Sequence, residues 1–160
     1  MSERIVVVGH GMAATRLVEE LVRRGLGPSV TVVGDEPTGS YNRILLSAVL
    51  EGSHPRDALT LRGERWYVDQ GVRVLSGRRV GEVDRDAGEV VLEDGGQVAY
   101  DRLVLATGSI PTLPPIRGLV SPDGRLHPKV HAFRSMEDLD RLEAAVPDAR
   151  RADVVGGGLL

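Results

Sequence analysis

Gly9-His10-Gly11-Met12-Ala13-Ala14 follows the pattern G-x-G-x-x-A, and each small residue in it has a job. The first glycine permits a sharp turn, and the second lets a pyrophosphate lie against bare backbone. The small sixth residue lets a helix pack closely on a strand. The start of that helix presents free N–H groups and the positive end of its dipole to phosphate oxygens. Such a hexapeptide is informative only between a strand and a helix. It also needs an acidic residue at the end of the next strand to hold ribose hydroxyls. Asp35 stands there, 35 − 9 = 26 residues after Gly9, with Glu36 beside it as the second candidate for that role. A dinucleotide site is expected, and the fingerprint serves NAD and FAD alike.

The flanking elements meet that condition. Arg4 to Val8 is a continuous apolar run, the mark of a strand buried on both faces. From Met12 onward Leu17, Val18, Leu21 and Val22 fall on one helical face among charged residues. Gly25 and Gly27 close the helix and Pro28 prevents its continuation. SVTVVG then predicts a second buried strand, so the first thirty-odd residues read as a right-handed βαβ unit. YNRILLSAVLEG and ERWYVDQG predict short helices, and VRVLSG a third strand. RRVGEVDRD, GEVVLED and QVAYD are separated by Ala87-Gly88 and Gly95-Gly96, which predicts an antiparallel meander. RLVLATG returns to a buried parallel strand, and Pro111, Pro114 and Pro115 make a rigid loop after it. A helix follows, with Ser135 as N-cap and Asp138 three residues on. The ADVV run at 152–155 predicts one more buried strand, leading into GGGLL.

Composition narrows the class. The chain has 160 residues, 41% hydrophobic and 27% charged, with 20 basic and 23 acidic residues and a net charge of −3. That suits a globular, soluble domain and lacks the basic footprint of a nucleic-acid binder. No apolar run approaches the ~20 residues of a membrane span, and Met1 to Arg4 shows no leader pattern. A cytoplasmic protein is expected, with neither nucleic acid nor membrane as partner. There is no cysteine, which removes disulfide exchange and thiol catalysis from this stretch.

The choice of cofactor rests on Tyr100 to Pro111, YDRLVLATGSIP. An apolar strand ending in Ala106-Thr107-Gly108 after a small meander resembles the second flavin-contacting motif of the two-dinucleotide-domain flavoprotein reductases. That resemblance implies an α/β, Rossmann-like FAD/NAD(P)-binding fold, a parallel doubly wound sheet with an inserted antiparallel meander. In that family an NAD(P)H domain interrupts the FAD domain, and VVGGGLL resembles the opening of its fingerprint, with Gly156 and Gly158 as glycines of the turn. Residues 1–150 are then expected to be the N-terminal part of the FAD domain, and 151–160 the first strand and turn of a truncated NAD(P)H domain. The chain is expected to be a fragment.

YNRILLSAVLEG, LTLRGERWYVDQGVRVLSG and VVGGGLL together resemble the N-terminal flavoprotein part of the large subunit of NAD(P)H-dependent nitrite reductase, over nearly the whole chain. Ala48 follows Ser47 where many ferredoxin reductases carry lysine, which favours the nitrite reductase branch. The resemblance implies that Gly9, Gly11, Met12 and Ala13 line the FAD pyrophosphate and that Asp35 binds the adenosine ribose. It further implies that Arg43 approaches the flavin nucleotide, that Val80 meets the adenine through its backbone, and that Ala106, Thr107 and Gly108 pass close to the cofactor. The implied activity is electron transfer from NAD(P)H through FAD to iron–sulfur and sirohaem centres, or to a small electron-transfer protein. No acid or base is expected among these residues. The alternatives are a ferredoxin or rubredoxin reductase-like flavoprotein, a truncated remnant that binds FAD weakly or not at all, and a plain NAD-dependent dehydrogenase domain.

Other candidates have simpler readings. His127 and His131 are four apart, but Pro128 between them opposes a helix, so a solvated loop and no metal site are expected. The His10 side chain is expected to be incidental, and Trp66 and Tyr67 to pack helix against sheet. Gly34 to Ser40 has the spacing of a phosphate loop without its lysine.

Overall fold

The computed structural model describes residues 3–156. It divides into two compact units that meet between Ile110 and Pro111 in sequence.

Four parallel strands form the first unit's main sheet: β1 (Ile5–Val8), β2 (Val30–Val33), β3 (Arg73–Leu75) and, after the meander described below, β7 (Arg102–Leu105). Their order is β3-β2-β1-β7. β1 is therefore central, and all four of its residues are buried. Ile5 pairs with Val30 on one side and Arg102 on the other, and the register runs unbroken to Val8 between Val33 and Leu105. Valine suits this position because its branched side chain fills a pleated surface covered on both sides.

Successive residues of β1 point to opposite faces, and the two faces are covered differently. Ile5 and Val7 join Val30 and Val32 in a cluster with Ala14 and Val18 of helix α1 (Met12–Arg23) and with Tyr67 of α3 (Glu64–Asp69), which follows the short α2 (Leu46–Leu50). Val6 and Val8 join Val33 in a second cluster with Val90, Leu92 and Val98. Those last three belong to the antiparallel meander β4 (Val80–Asp84), β5 (Glu89–Leu92) and β6 (Gln97–Ala99), ordered β4-β5-β6. The sheet is doubly covered, by helices on one face and the meander on the other.

The expected elements form with three departures. The RLVLATG strand, expected to be buried, has Arg102 and Leu105 exposed and Leu103 and Val104 half-buried, because β7 is an edge strand of this sheet. YNRILLSAVLEG is helical for only part of its length: a 3-10 turn at Arg43–Leu45, capped by the Asn42 side chain on the Ile44 N–H at 3.1 Å, runs into α2. The strand expected at 152–155 does not form. Residues 151–156 carry no regular structure, and Val154 and Val155 are 88% and 68% exposed. An apolar run becomes a strand only where a neighbour completes its hydrogen-bond ladder, and no described residue pairs with this one.

In the second unit, helix α4 (Met136–Ala145) has the full capping box read from sequence. The Asp138 N–H donates to Ser135 Oγ at 3.1 Å, and the Ser135 N–H donates to Asp138 Oδ2 at 2.9 Å. His127 and His131 lie in irregular chain before it, and the Lys129 N–H donates to His127 Nδ1. Among the described residues no helix is long and apolar enough to cross a membrane.

Candidate cofactor site

Gly9 leaves the end of β1 with φ +112°, a conformation closed to most side chains. Its N–H donates to the Val33 carbonyl at 2.7 Å, and the Ala106 N–H donates to the Val8 carbonyl at 2.7 Å. The turn is thus held between the ends of β2 and β7. A Cβ on Gly9 would stand 2.1 Å from the Ala106 carbonyl oxygen and 3.1 Å from the Thr107 nitrogen. That close approach brings together the two motifs read separately in the sequence, the Gly9 turn and Ala106-Thr107-Gly108.

Gly11 is the opposite case. Its backbone is extended, and a Cβ there would meet nothing within 4 Å. Open space lies where the fingerprint asks for a ligand. Gly11 is also the N-cap of α1, which has no side-chain cap and no acidic residue in its first turn. The amides at that end keep their positive field undiluted. Met12 and Ala13 are exposed beside it, while Ala14 is fully buried and seats the helix on the sheet.

At the end of β2 the two acidic candidates separate. Asp35 is exposed, with no hydrogen bond or ion pair among the described residues. Glu36 is half-buried and engaged: the Tyr41 hydroxyl donates to its Oε2 at 2.6 Å, and Arg43 forms an ion pair with its Oε1. The Arg43 guanidinium also lies 5.0 Å from the centre of the Tyr41 ring. The β3–β4 connection runs alongside, with the Gly77 N–H on the Glu36 carbonyl at 3.0 Å and the Arg78 N–H on the Gly34 carbonyl at 2.9 Å. Val80 opens β4 just beyond, paired with Leu92 and packed on the second cluster. Thr107 and Gly108 are exposed, Gly108 with φ +72°.

Gly156 lies in the second unit with φ +104°, and Gly158 falls outside the described residues.

A layer of side chains behind the turn is less visible in the sequence. Thr15 Oγ1 donates to the Gly11 carbonyl at 3.0 Å. The Tyr67 hydroxyl lies 3.1 Å from Ser40 Oγ and 3.5 Å from Thr15 Oγ1, and all three residues are buried. Tyr67 packs as expected and in addition links three segments through its hydroxyl. His10 is not incidental. Its ring meets Tyr67 edge-on at 5.1 Å, and both ring nitrogens are buried with no hydrogen-bond partner. Burial holds its pKa below the usual 6.5, and Glu36 pulls weakly the other way. The ring is therefore neutral at pH 7. A helical G-x-G turn announces the backbone, but no local pattern announces what its middle residue touches.

These features fit a dinucleotide cofactor. The space over Gly11, the uncapped helix end and the unpartnered Asp35 form a cradle for phosphate and ribose.

Comparison with known proteins agrees. The family described as pyridine nucleotide-disulphide oxidoreductase matches residues 3–160. The assimilatory nitrate reductase electron transfer subunit of Bacillus subtilis (strain 168) is 35% identical over 99% of this chain and 20% of its own length. Nitrite reductase [NAD(P)H] of the same strain is 36% identical over 99% of this chain and 19% of its own. Among solved structures, the covalent putidaredoxin reductase–putidaredoxin complex superposes with a TM-score of 0.73 at 30% identity, covering 91% of this chain and 34% of that one. The chain spans about a fifth of the length of these two Bacillus subtilis relatives.

Proposed function

This chain belongs to the pyridine nucleotide-disulphide oxidoreductase family, and from that premise we propose that it is the FAD-binding N-terminal portion of an NAD(P)H-dependent oxidoreductase of the nitrite reductase type. The observation that carries the proposal is the convergence of the Gly9 turn with Ala106 and Thr107 beside the uncapped start of α1. A plain NAD-dependent dehydrogenase needs the first motif and has no use for the second.

On this reading Gly9 makes the turn, and Gly11 leaves room for the FAD diphosphate over bare backbone. The amides of Met12 and Ala13 face that diphosphate, with Ala14 fixing how closely the helix approaches. Asp35 accepts from the adenosine ribose hydroxyls, being exposed and without a partner of its own. Val80 lies by the adenine, Arg43 addresses the flavin nucleotide, and the Ala106–Gly108 backbone runs along it. When bound, the flavin supplies the redox chemistry, between a hydride from NAD(P)H and an electron acceptor; these residues supply position and field.

The acceptor proposed is an iron–sulfur and sirohaem assembly, supported by the similarity to the two Bacillus subtilis proteins and by Ala48 after Ser47. The likeness to putidaredoxin reductase favours a small electron-transfer protein as the second reading. Residues 151–160 would open the NAD(P)H domain, with Gly156 and Gly158 in its turn, and the protein would work in the cytoplasm.

Calorimetric titration of the chain with FAD, FMN and NAD+ in parallel tests the assignment. FAD is expected to bind in preference to both others. Preference for NAD+ would return the site to a dehydrogenase.

A further inference from the structure

We infer that Glu36 is a positioning residue for Arg43, and that its carboxylate is not a ribose ligand. The inference rests on the cofactor assignment above and adds a division of labour between the two acidic neighbours at the end of β2. Of the two neighbours, only one is committed to partners within the fold. Asp35 is exposed and unpaired. Glu36 spends one oxygen on the Tyr41 hydroxyl at 2.6 Å and the other on the Arg43 guanidinium.

Both partners of Glu36 come from the segment after the loop, and that segment is itself anchored. The Asn42 N–H donates to the Leu59 carbonyl at 2.8 Å, Tyr41 forms an isolated bridge with Thr60, and Tyr41 is 7% exposed. A buried tyrosine ring therefore forms one wall for the guanidinium, and the carboxylate fixes its rotation about the last bonds. An arginine side chain left alone has many rotamers, and ordering it costs conformational entropy. Glu36 and Tyr41 meet that cost before any ligand arrives. Side-chain exposures of 27% for both Glu36 and Arg43 mean the pair is partly shielded yet still borders solvent. A planar guanidinium has five N–H donors, a geometry suited to anionic and carbonyl oxygens.

The alternative, in which Glu36 itself binds the ribose, would make a half-buried carboxylate share oxygens that already accept from Tyr41 and Arg43, while the exposed Asp35 beside it has none committed.

A double-mutant cycle on FAD affinity separates the two, read with a signal that needs no cofactor. In the chain without FAD, the Arg43 Nη2 proton resonance is expected to be resolved and slow to exchange with water. Glu36→Gln should collapse it while the backbone amide spectrum stays folded. For FAD binding, Glu36→Gln should weaken affinity roughly tenfold in the unaltered chain, the scale of one charge-assisted hydrogen bond. In the Arg43→Gln background the same change should cost less than about twofold, because its route of action is gone. Asp35→Ala should weaken binding equally in both backgrounds. The inference is overturned if Glu36→Gln leaves the Arg43 signal unchanged, or if its effect on FAD is the same with and without Arg43. Failure of the unaltered chain to bind FAD would count against the cofactor assignment and leave the resonance test of the pairing intact.

Discussion

Gly9 and Gly11 stand two residues apart in one motif, yet they answer to different constraints. A methyl on Gly9 would collide with the Ala106 carbonyl oxygen at 2.1 Å in a backbone conformation unsuited to alanine, whereas a methyl on Gly11 meets only open space. Gly9→Ala is expected to cost more than about 3 kcal/mol of stability, enough to threaten folding. Gly11→Ala should change stability by less than about 1 kcal/mol while weakening cofactor binding. Thermal melts of the two variants check the contrast, and equal melting temperatures would refute it. His10 gives a second expectation at this scale. Its folded pKa lies below 6.5, so below pH 6.5 the unfolded chain takes up a proton that the folded chain resists. Stability should therefore fall as pH drops from 6.5, and His10→Gln should flatten that slope. A slope unchanged by the substitution would show that the buried ring does not titrate as its surroundings require. The sequence named the glycines because their role is local. It took the His10 side chain as incidental and did not reveal the hydroxyl contacts of Thr15, Ser40 and Tyr67, because those joining them through Tyr67 link residues 27 to 57 positions apart that no short pattern relates.

The elements were legible wherever a period and a stop signal coincided. β1, α1 and β2 could be read from an unbroken valine run, a helical apolar face and a Gly-Pro break, and α4 from its capping box. What was not legible was which surface the meander would cover. Val90, Leu92 and Val98 look like ordinary alternation, and only the fold shows them closing the second face of the sheet. The valines at 154 and 155 mislead in the opposite direction, since apolar character alone does not provide a ladder partner. β1 and β7 carry a clamp that neither strand's pattern revealed. The Arg4 backbone N–H and guanidinium both bind the Asp101 carboxylate, at 2.7, 3.1 and 2.8 Å, and hold its pKa down at about 2 from the usual 3.8. A depressed carboxylate stabilises the fold above its unfolded value and ceases to do so as pH falls through its folded one. Asp101→Asn should therefore lower the melting temperature above about pH 4, and the gap should close toward pH 2. A gap independent of pH would mean the pair contributes nothing through its charge; its exposure already argues for a modest effect.

At the scale of the whole molecule, a chain that aligns with about a fifth of the two Bacillus subtilis relatives still carries both motifs of the proposed cofactor site in one unit, up to Ile110. The resemblance seen in the motifs extended over the chain, as the family match over residues 3–160 bears out. The residues proposed to hold FAD, from Gly9 to Gly108, all lie within that unit. The most direct measurement of the central claim is a fluorescence titration of the 160-residue chain with FAD, run beside Gly11→Ala at matched stability. Saturable binding near one FAD per chain, weakened at least tenfold by Gly11→Ala without loss of fold, is the expected result. Binding that ignores Gly11, or a folded chain that takes up no FAD, would contradict the account.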